Sequence, residues 1–174
     1  MIPESIPKAP NFKTGPFGRR ERERVFQLRH QLFSEGACES LLADRWHLGN
    51  GFESENLYPG FQKEVLEFFE KRSIKWHGNG GCDASILSSQ VACLNSFFAF
   101  TSSPDALFRF LSSLFGDVDE VLPIDSLLEP RLPNDQHPFA TFEWIGETNY
   151  LGERGNSRGS FRTNVDAVFR YRNS

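Results

Sequence analysis

A chain of 174 residues is long enough to bury one core and too short for two comfortable domains. With 39% hydrophobic and 24% charged residues it has the composition of a folded domain, and a net charge of −4 excludes a protein that coats nucleic acid by bulk positive charge. Three cysteines, Cys38, Cys82 and Cys93, with no CxxC, exclude a disulfide framework and a zinc ribbon and fit a reducing cytoplasm. With no signal-peptide core and no long apolar run, secretion and membrane insertion are not expected.

Residues 1–18 carry Pro3, Pro7, Pro10 and Pro16 with Gly15 and Gly18, which predicts an extended arm and leaves 19–174 as a single domain. From Arg19 to Ser34 the spacing of Val25, Leu28, Leu32 and Phe33 predicts a helix ended by Gly36. Its Glu–Arg run reads as a solvated face, with a DNA-touching basic helix as the alternative. A second short helix over Cys38–Trp46 leads past His47 into a loop broken by Gly49, Asn50, Gly51, Pro59 and Gly60. Phe61–Ser73 is the clearest amphipathic helix, with Phe61, Val65, Phe68 and Phe69 as its core stripe.

The segment IKWHGNGGCDAS after it is glycine-rich, yet holds neither GxGxxG nor GxxxxGK[ST], so a phosphate loop is rejected. His77 and Cys82 lack a matching second pair for zinc, and the stretch reads as a turn delivering a helix N-capped by Asp83 or Ser85. That helix, Ser85 to about Phe100, is almost wholly apolar. Gln90 and Asn95 within it need partners, either in a core network or as groups that fix substrate or metal-bound water. A Cys93–His77 thiol–imidazole pair is set aside, because a cysteine in an apolar helix is usually inert packing.

Ser103, Pro104 and Gly116 bracket a helix ending at Phe115, with Leu107, Phe108, Leu111, Leu114 and Phe115 as its buried face. Asp117–Glu129 fits a short strand or an irregular crossing, and the loop to Pro138 leaves His137 exposed. Two strands close the chain: Phe139–Ile145, and Asn164–Arg172, whose alternation sets Val165, Ala167, Phe169 and Tyr171 against Asp166, Val168, Arg170 and Arg172. The loop between them, Gly146–Thr163, is long enough to be mobile.

Asp is depleted in strands, so Asp166 needs a reason. It is a solvated or ion-paired residue, or it is a buried metal ligand held rigidly by its strand. Glu143 approaches it if the two strands pair. Five arginines after residue 153, against Asp166 as the only acid there, suit phosphate contact or else neutralise the ten acids between Ser102 and Glu153.

Several blocks in order, Ile74-Lys75-Trp76-His77, Ser88-Ser89-Gln90-Val91-Ala92-Cys93-Leu94-Asn95, Phe142-Glu143-Trp144, Tyr150-Leu151-Gly152-Glu153, Arg158-Gly159 and Arg162-Thr163-Asn164-Val165-Asp166, resemble a restriction-endonuclease family of the PD-(D/E)XK nuclease-like group. The resemblance covers roughly Phe61 to the C-terminus. It implies an α/β or α+β fold with helices flanking a short mixed β-sheet, and Mg²⁺- or Mn²⁺-dependent hydrolysis of DNA. By that resemblance Asp166 is the metal-binding Asp, and Glu143 joins it at the metal. Glu143 and Glu153 are acids of the family pattern that assist catalysis, and Ser88, Ser89, Gln90, Asn95, Arg158 and Arg162 contact substrate.

One departure stands against the matches. The nuclease motif needs a following strand with Glu or Asp, any residue, then Lys, where the acid completes the Mg²⁺ site and the Lys positions or activates water. The chain stops eight residues past Asp166, and Lys8, Lys13, Lys63, Lys71 and Lys75 follow Ile6, Asn11, Phe61, Phe69 and Ser73 at that spacing, none of them acidic. The expectation is therefore an endonuclease fold cut off inside its catalytic hairpin. The alternatives are an inactive nuclease-like remnant or binding module, and a chain that self-associates by β-augmentation through a last strand lacking its neighbour.

Overall fold

The computed structural model describes residues 16–44, 46–77, 81–125, 137–145 and 164–173. Among these residues the elements run α1 (Pro16–Leu32), α2 (Glu35–Asp44), α3 (Gln62–Lys71), α4 (Ser89–Phe97), α5 (Pro104–Phe115), β1 (Val118–Leu122), β2 (Ala140–Trp144) and β3 (Val165–Asn173). The α-helices and a small three-stranded sheet make the expected helix-and-sheet fold, and its described strands are antiparallel throughout, in the order β1-β3-β2.

α1 begins three residues before the expected start, because Pro16 has no N–H to lose in a first helical turn and its fixed φ suits that position. Gly36 does not end it. It lies inside α2, where a Cβ would come within 2.6 Å of the Phe52 ring, so glycine there permits close packing. α4 starts later than expected. The Ser88 side chain caps Val91 N–H, whereas Asp83 and Ser85 make their bonds to Ser85 N–H and Leu87 N–H in the preceding turn. α5 is bracketed as the sequence predicts, with Pro104 in its first turn and Gly116 at φ 82° after its end.

The main core joins Val65, Phe68 and Phe69 of α3, Val91 and Leu94 of α4 and Ala140 and Phe142 of β2, with Leu57, Ile74 and Phe98. The phenylalanines pack edge to face: Phe68 meets Phe98 and Phe142 at 5.5 and 5.9 Å between centroids. A second cluster, Leu107, Leu111 and Val118, holds α5 on β1 and shares Phe100 and Phe169 with the first. Ala37, Leu41 and Leu48 form a third.

Four side chains expected on buried faces, Leu32, Phe108, Leu114 and Phe115, are exposed. α5 meets β1 mainly through Leu107 and Leu111, so the ends of its apolar stripe overhang the contact, and Phe115 instead stacks on Tyr171 of β3 at 5.5 Å. Leu32 lines a groove with Val25, Phe33, Tyr58 and Ile86. His137 is half-buried rather than exposed, next to buried Pro138, whose carbonyl accepts from Ile124 N–H.

The last strand is paired along its length, with a different neighbour in each half. β3 pairs with β2 from Val165 to Phe169 and with β1 from Arg170 to Asn173, so the strand expected to lack a neighbour is the middle strand of the described sheet. None of the described helices is long and apolar enough to cross a membrane.

Candidate functional site

Pairing of Phe142 with Ala167 and of Trp144 with Val165 sets Glu143 opposite Asp166, as the sequence anticipated. The two acids differ in environment. Glu143 is 2% exposed and stands at φ +50°, whereas Asp166 is exposed. The expected buried acid is therefore Glu143, not Asp166. β2 is inaccessible on both faces from Ala140 to Glu143, while this part of β3 lies at the rim. A left-handed φ costs a non-glycine residue on the order of 1–2 kcal/mol, so the surrounding packing imposes it.

His77 reaches the buried acid from outside the sheet. Its Nε2 lies 3.3 Å from Glu143 Oε2, with the imidazole partly open to solvent. Three interactions fix the segment that carries it. Trp76 stacks on Phe69 at 4.1 Å, Ile74 N–H donates to Phe69 C=O, and Gln90 of α4 brackets the strand-like turn: its Oε1 accepts from His77 N–H at 3.0 Å and its Nε2 donates to Lys75 C=O at 3.2 Å. Gln90 is buried and satisfied at both ends, which is the condition for keeping an amide in a core.

One turn further along α4 lies Cys93, half-buried. Burial first, then the negative charges of Asp166 and Glu143, push its thiol up to about 11. A thiol so held stays protonated at neutral pH and is a poor nucleophile, which agrees with reading it as packing.

The remaining sequence-predicted residues divide. Ser88 is the cap of α4, and Ser89 is exposed in its first turn. Asn95 ties the loop before α3 to α4: its Oδ1 accepts from Tyr58 N–H and its Nδ2 donates to Asn56 C=O. Of the expected basic patch, Arg170 is engaged by Asp125 at 2.6 Å and Arg172 by Glu120 at 3.0 Å, both across toward β1. These two arginines neutralise the acidic segment before them. Glu153, Arg158 and Arg162, with the loop expected to be mobile, lie outside the described residues. Among the described residues no group of three or more His, Cys, Asp or Glu side chains is placed to hold a metal ion.

The described fold is a helix-flanked antiparallel sheet in which two acids stand opposite in register and a histidine meets the buried one. The family follows from a match along nearly the whole chain: residues 10–174 fit the model of the family described as restriction endonuclease associating with ARP, REase-ARP, and the chain belongs to that family. No curated protein and no solved structure matches it.

Proposed function

We propose that this chain is a nuclease domain in which Glu143 and Asp166 hold a Mg²⁺ or Mn²⁺ ion for hydrolysis of DNA phosphodiester bonds, in the cytoplasm. The observation that carries the reading is the strand register that opposes a buried, conformationally strained Glu143 to an exposed Asp166, in a chain of a restriction-endonuclease family. Two carboxylates are donors of the type such an ion takes. Mg²⁺ takes one or two carboxylates, keeps several waters and accepts phosphate oxygens, so an open pair of acids serves it better than a closed cage. When bound, the ion supplies Lewis acidity and lowers the pKa of its water.

The chain's own residues do the positioning. β2 and β3 fix the two carboxylates, Gln90 holds the backbone on which His77 meets Glu143, and exposed Asp166 leaves the outer side open to a phosphodiester. Ser89, exposed beside the cap of α4, is the described hydroxyl assigned to substrate, with Arg158 and Arg162 assigned to phosphate and Glu153 to assisting the acids. Following the family's description, the protein partner is ARP. With β3 in the middle of the described sheet, self-association by strand addition would use β1 or β2.

A second reading, a non-hydrolytic module that binds nucleic acid or protein, is favoured by one observation: among the described residues no group of three or more His, Cys, Asp or Glu side chains is placed to hold a metal ion. Titration calorimetry with Mg²⁺ and Mn²⁺ tests the first reading. Heat of binding that vanishes in Asp166→Ala and in Glu143→Gln supports it, whereas binding unchanged in both variants sinks it.

A further inference from the structure

A groove of about 540 Å³ runs along α3, between that helix and the short turn Phe98–Thr101 that follows α4. Its volume is that of pockets which take one small organic ligand. Phe61, Phe68 and Phe98 line it, and Phe61 and Phe68 pack on Phe98 at 5.3 and 5.5 Å between centroids. Arg72, the residue after α3, folds back one turn, and its guanidinium carbon stands 3.6 Å over the Phe68 ring, the spacing of two stacked planes. The ring covers one face of the guanidinium, and Arg72 also lines the groove. Glu64, one turn before Phe68 on the same side of the helix, lies roughly 6 Å from it along the axis and reaches the same groove. Glu67, by contrast, is held between Lys63 and Lys71 at 3.8 and 3.2 Å. None of the acid-pair residues lines this groove.

These groups select a class of ligand. A cation would compete with Arg72 for the Phe68 ring, and a phosphate inside the groove would meet the carboxylates of Glu64 and Glu67. A flat, neutral heterocycle meets neither obstacle, and stacking on a guanidinium plane or an aromatic ring is how proteins hold unpaired bases. An ionised carboxylate only accepts hydrogen bonds, so Glu64 favours a base with two adjacent donors on one edge, which guanine offers through N1–H and its exocyclic amine. We propose that the α3 groove binds an unpaired guanine base, stacked on the Arg72 guanidinium with its donor edge on Glu64. A guanine turned out of a strand and a free guanine nucleotide present that same edge, and the phosphate of either stays outside the groove. Where the ligand is a strand, the groove reads sequence, which the acid pair does not. No metal takes part, so the groove and the acid pair stand or fall separately.

The test is amide NMR titration of the full chain, in EDTA, with guanosine monophosphate, adenosine monophosphate and a single-stranded oligonucleotide carrying one guanine as separate probes. Wild type should bind the guanine nucleotide about ten-fold more tightly than the adenine one, with shifts at Ala99 and Ser102 across the groove. Arg72→Lys keeps the charge and loses the plane, and should weaken guanosine monophosphate about ten-fold. Glu64→Gln should weaken it by a similar factor, about ten-fold, while leaving adenosine monophosphate nearly unchanged. Thermal unfolding shows whether the variants are folded; Glu64 is exposed, so Glu64→Gln decides alone if Arg72→Lys is not. Tighter binding of the oligonucleotide than of the nucleotide assigns the base to a strand, the reverse assigns it to a free nucleotide, and either supports the guanine site. No shift with either guanine probe at millimolar concentration, or guanine binding that both substitutions leave unchanged, overturns it and leaves the acid pair untouched.

Discussion

Gln90→Ala is the substitution that most directly couples the core to the site. It removes the acceptor of His77 N–H and the donor to Lys75 C=O, two bonds at 3.0 and 3.2 Å from a side chain that is 1% exposed. A net contribution of about 1 kcal/mol for each bond, with an added cost for the cavity left by the truncated side chain, gives a loss of roughly 2–4 kcal/mol. With a urea dependence of roughly 2 kcal/mol per molar, the midpoint falls by about 1–2 M. Gln90→Glu distinguishes the two bonds. It keeps an acceptor for His77 N–H but sets a buried carboxylate against Lys75 C=O, so at neutral pH it should be at least as destabilising as alanine. Equilibrium urea unfolding followed by Trp fluorescence, with histidine ring NMR in parallel, reads both effects. A midpoint shift below about 0.3 M in Gln90→Ala, with unchanged His77 resonances, would refute the reasoning that this amide sets the histidine.

Phe69→Ala should cost about 3–5 kcal/mol, because the ring is buried in the main core, and should move Trp76 emission to the red as its stacking partner disappears; unfolding monitored at both signals checks it. Ser88→Ala removes the cap of α4, whose bond to Val91 N–H is long at 3.4 Å, so thermal unfolding should show a loss near the low end of about 0.5–2 kcal/mol. Arg170→Ala breaks a pair that is partly solvent-exposed on both sides, and calorimetric melting should register a change within about 1 kcal/mol. Cys93 is held up to about 11 and Cys82 up to about 12 from an ordinary 9.0, so above pH 9 the unfolded chain releases thiol protons that the folded chain retains. The unfolded state then binds fewer protons, and stability must fall as pH rises from 9 toward 11. Urea midpoints at pH 8 and pH 10.5 should show a fall that shrinks in Cys93→Ala.

Much of this arrangement was legible from pattern. The amphipathic stripe of α3, the proline and glycine that bracket α5, and the two closing strands each follow from a local rule, and the opposition of Glu143 to Asp166 needed only that those strands pair. What escaped was set by tertiary contact. Alternation marked Asp166 as the acid with an unusual environment, but depth in the sheet made Glu143 the buried one, and nothing local announces a left-handed φ at a glutamate. His77 was read as part of a turn because its placement beside Glu143 depends on Gln90, thirteen residues later and itself read as a generic buried amide. A weak signal was present in Trp76-His77: a tryptophan anchored in the core directs the next residue to the opposite side. The apolar ends of α5 were assigned to the core from spacing alone, which cannot show where the covering strand stops.

The most direct test of the acid pair as a phosphodiester-cleaving centre is nicking of supercoiled plasmid by the full chain in Mg²⁺ and, separately, in Mn²⁺, with Asp166→Ala and Glu143→Gln prepared identically. The account predicts conversion to nicked circles by wild type, abolished by chelation of the metal and by either substitution, with both variants still folded by circular dichroism. Nicking that persists at the wild-type rate in both variants, or no nicking by wild type under either metal, would contradict it.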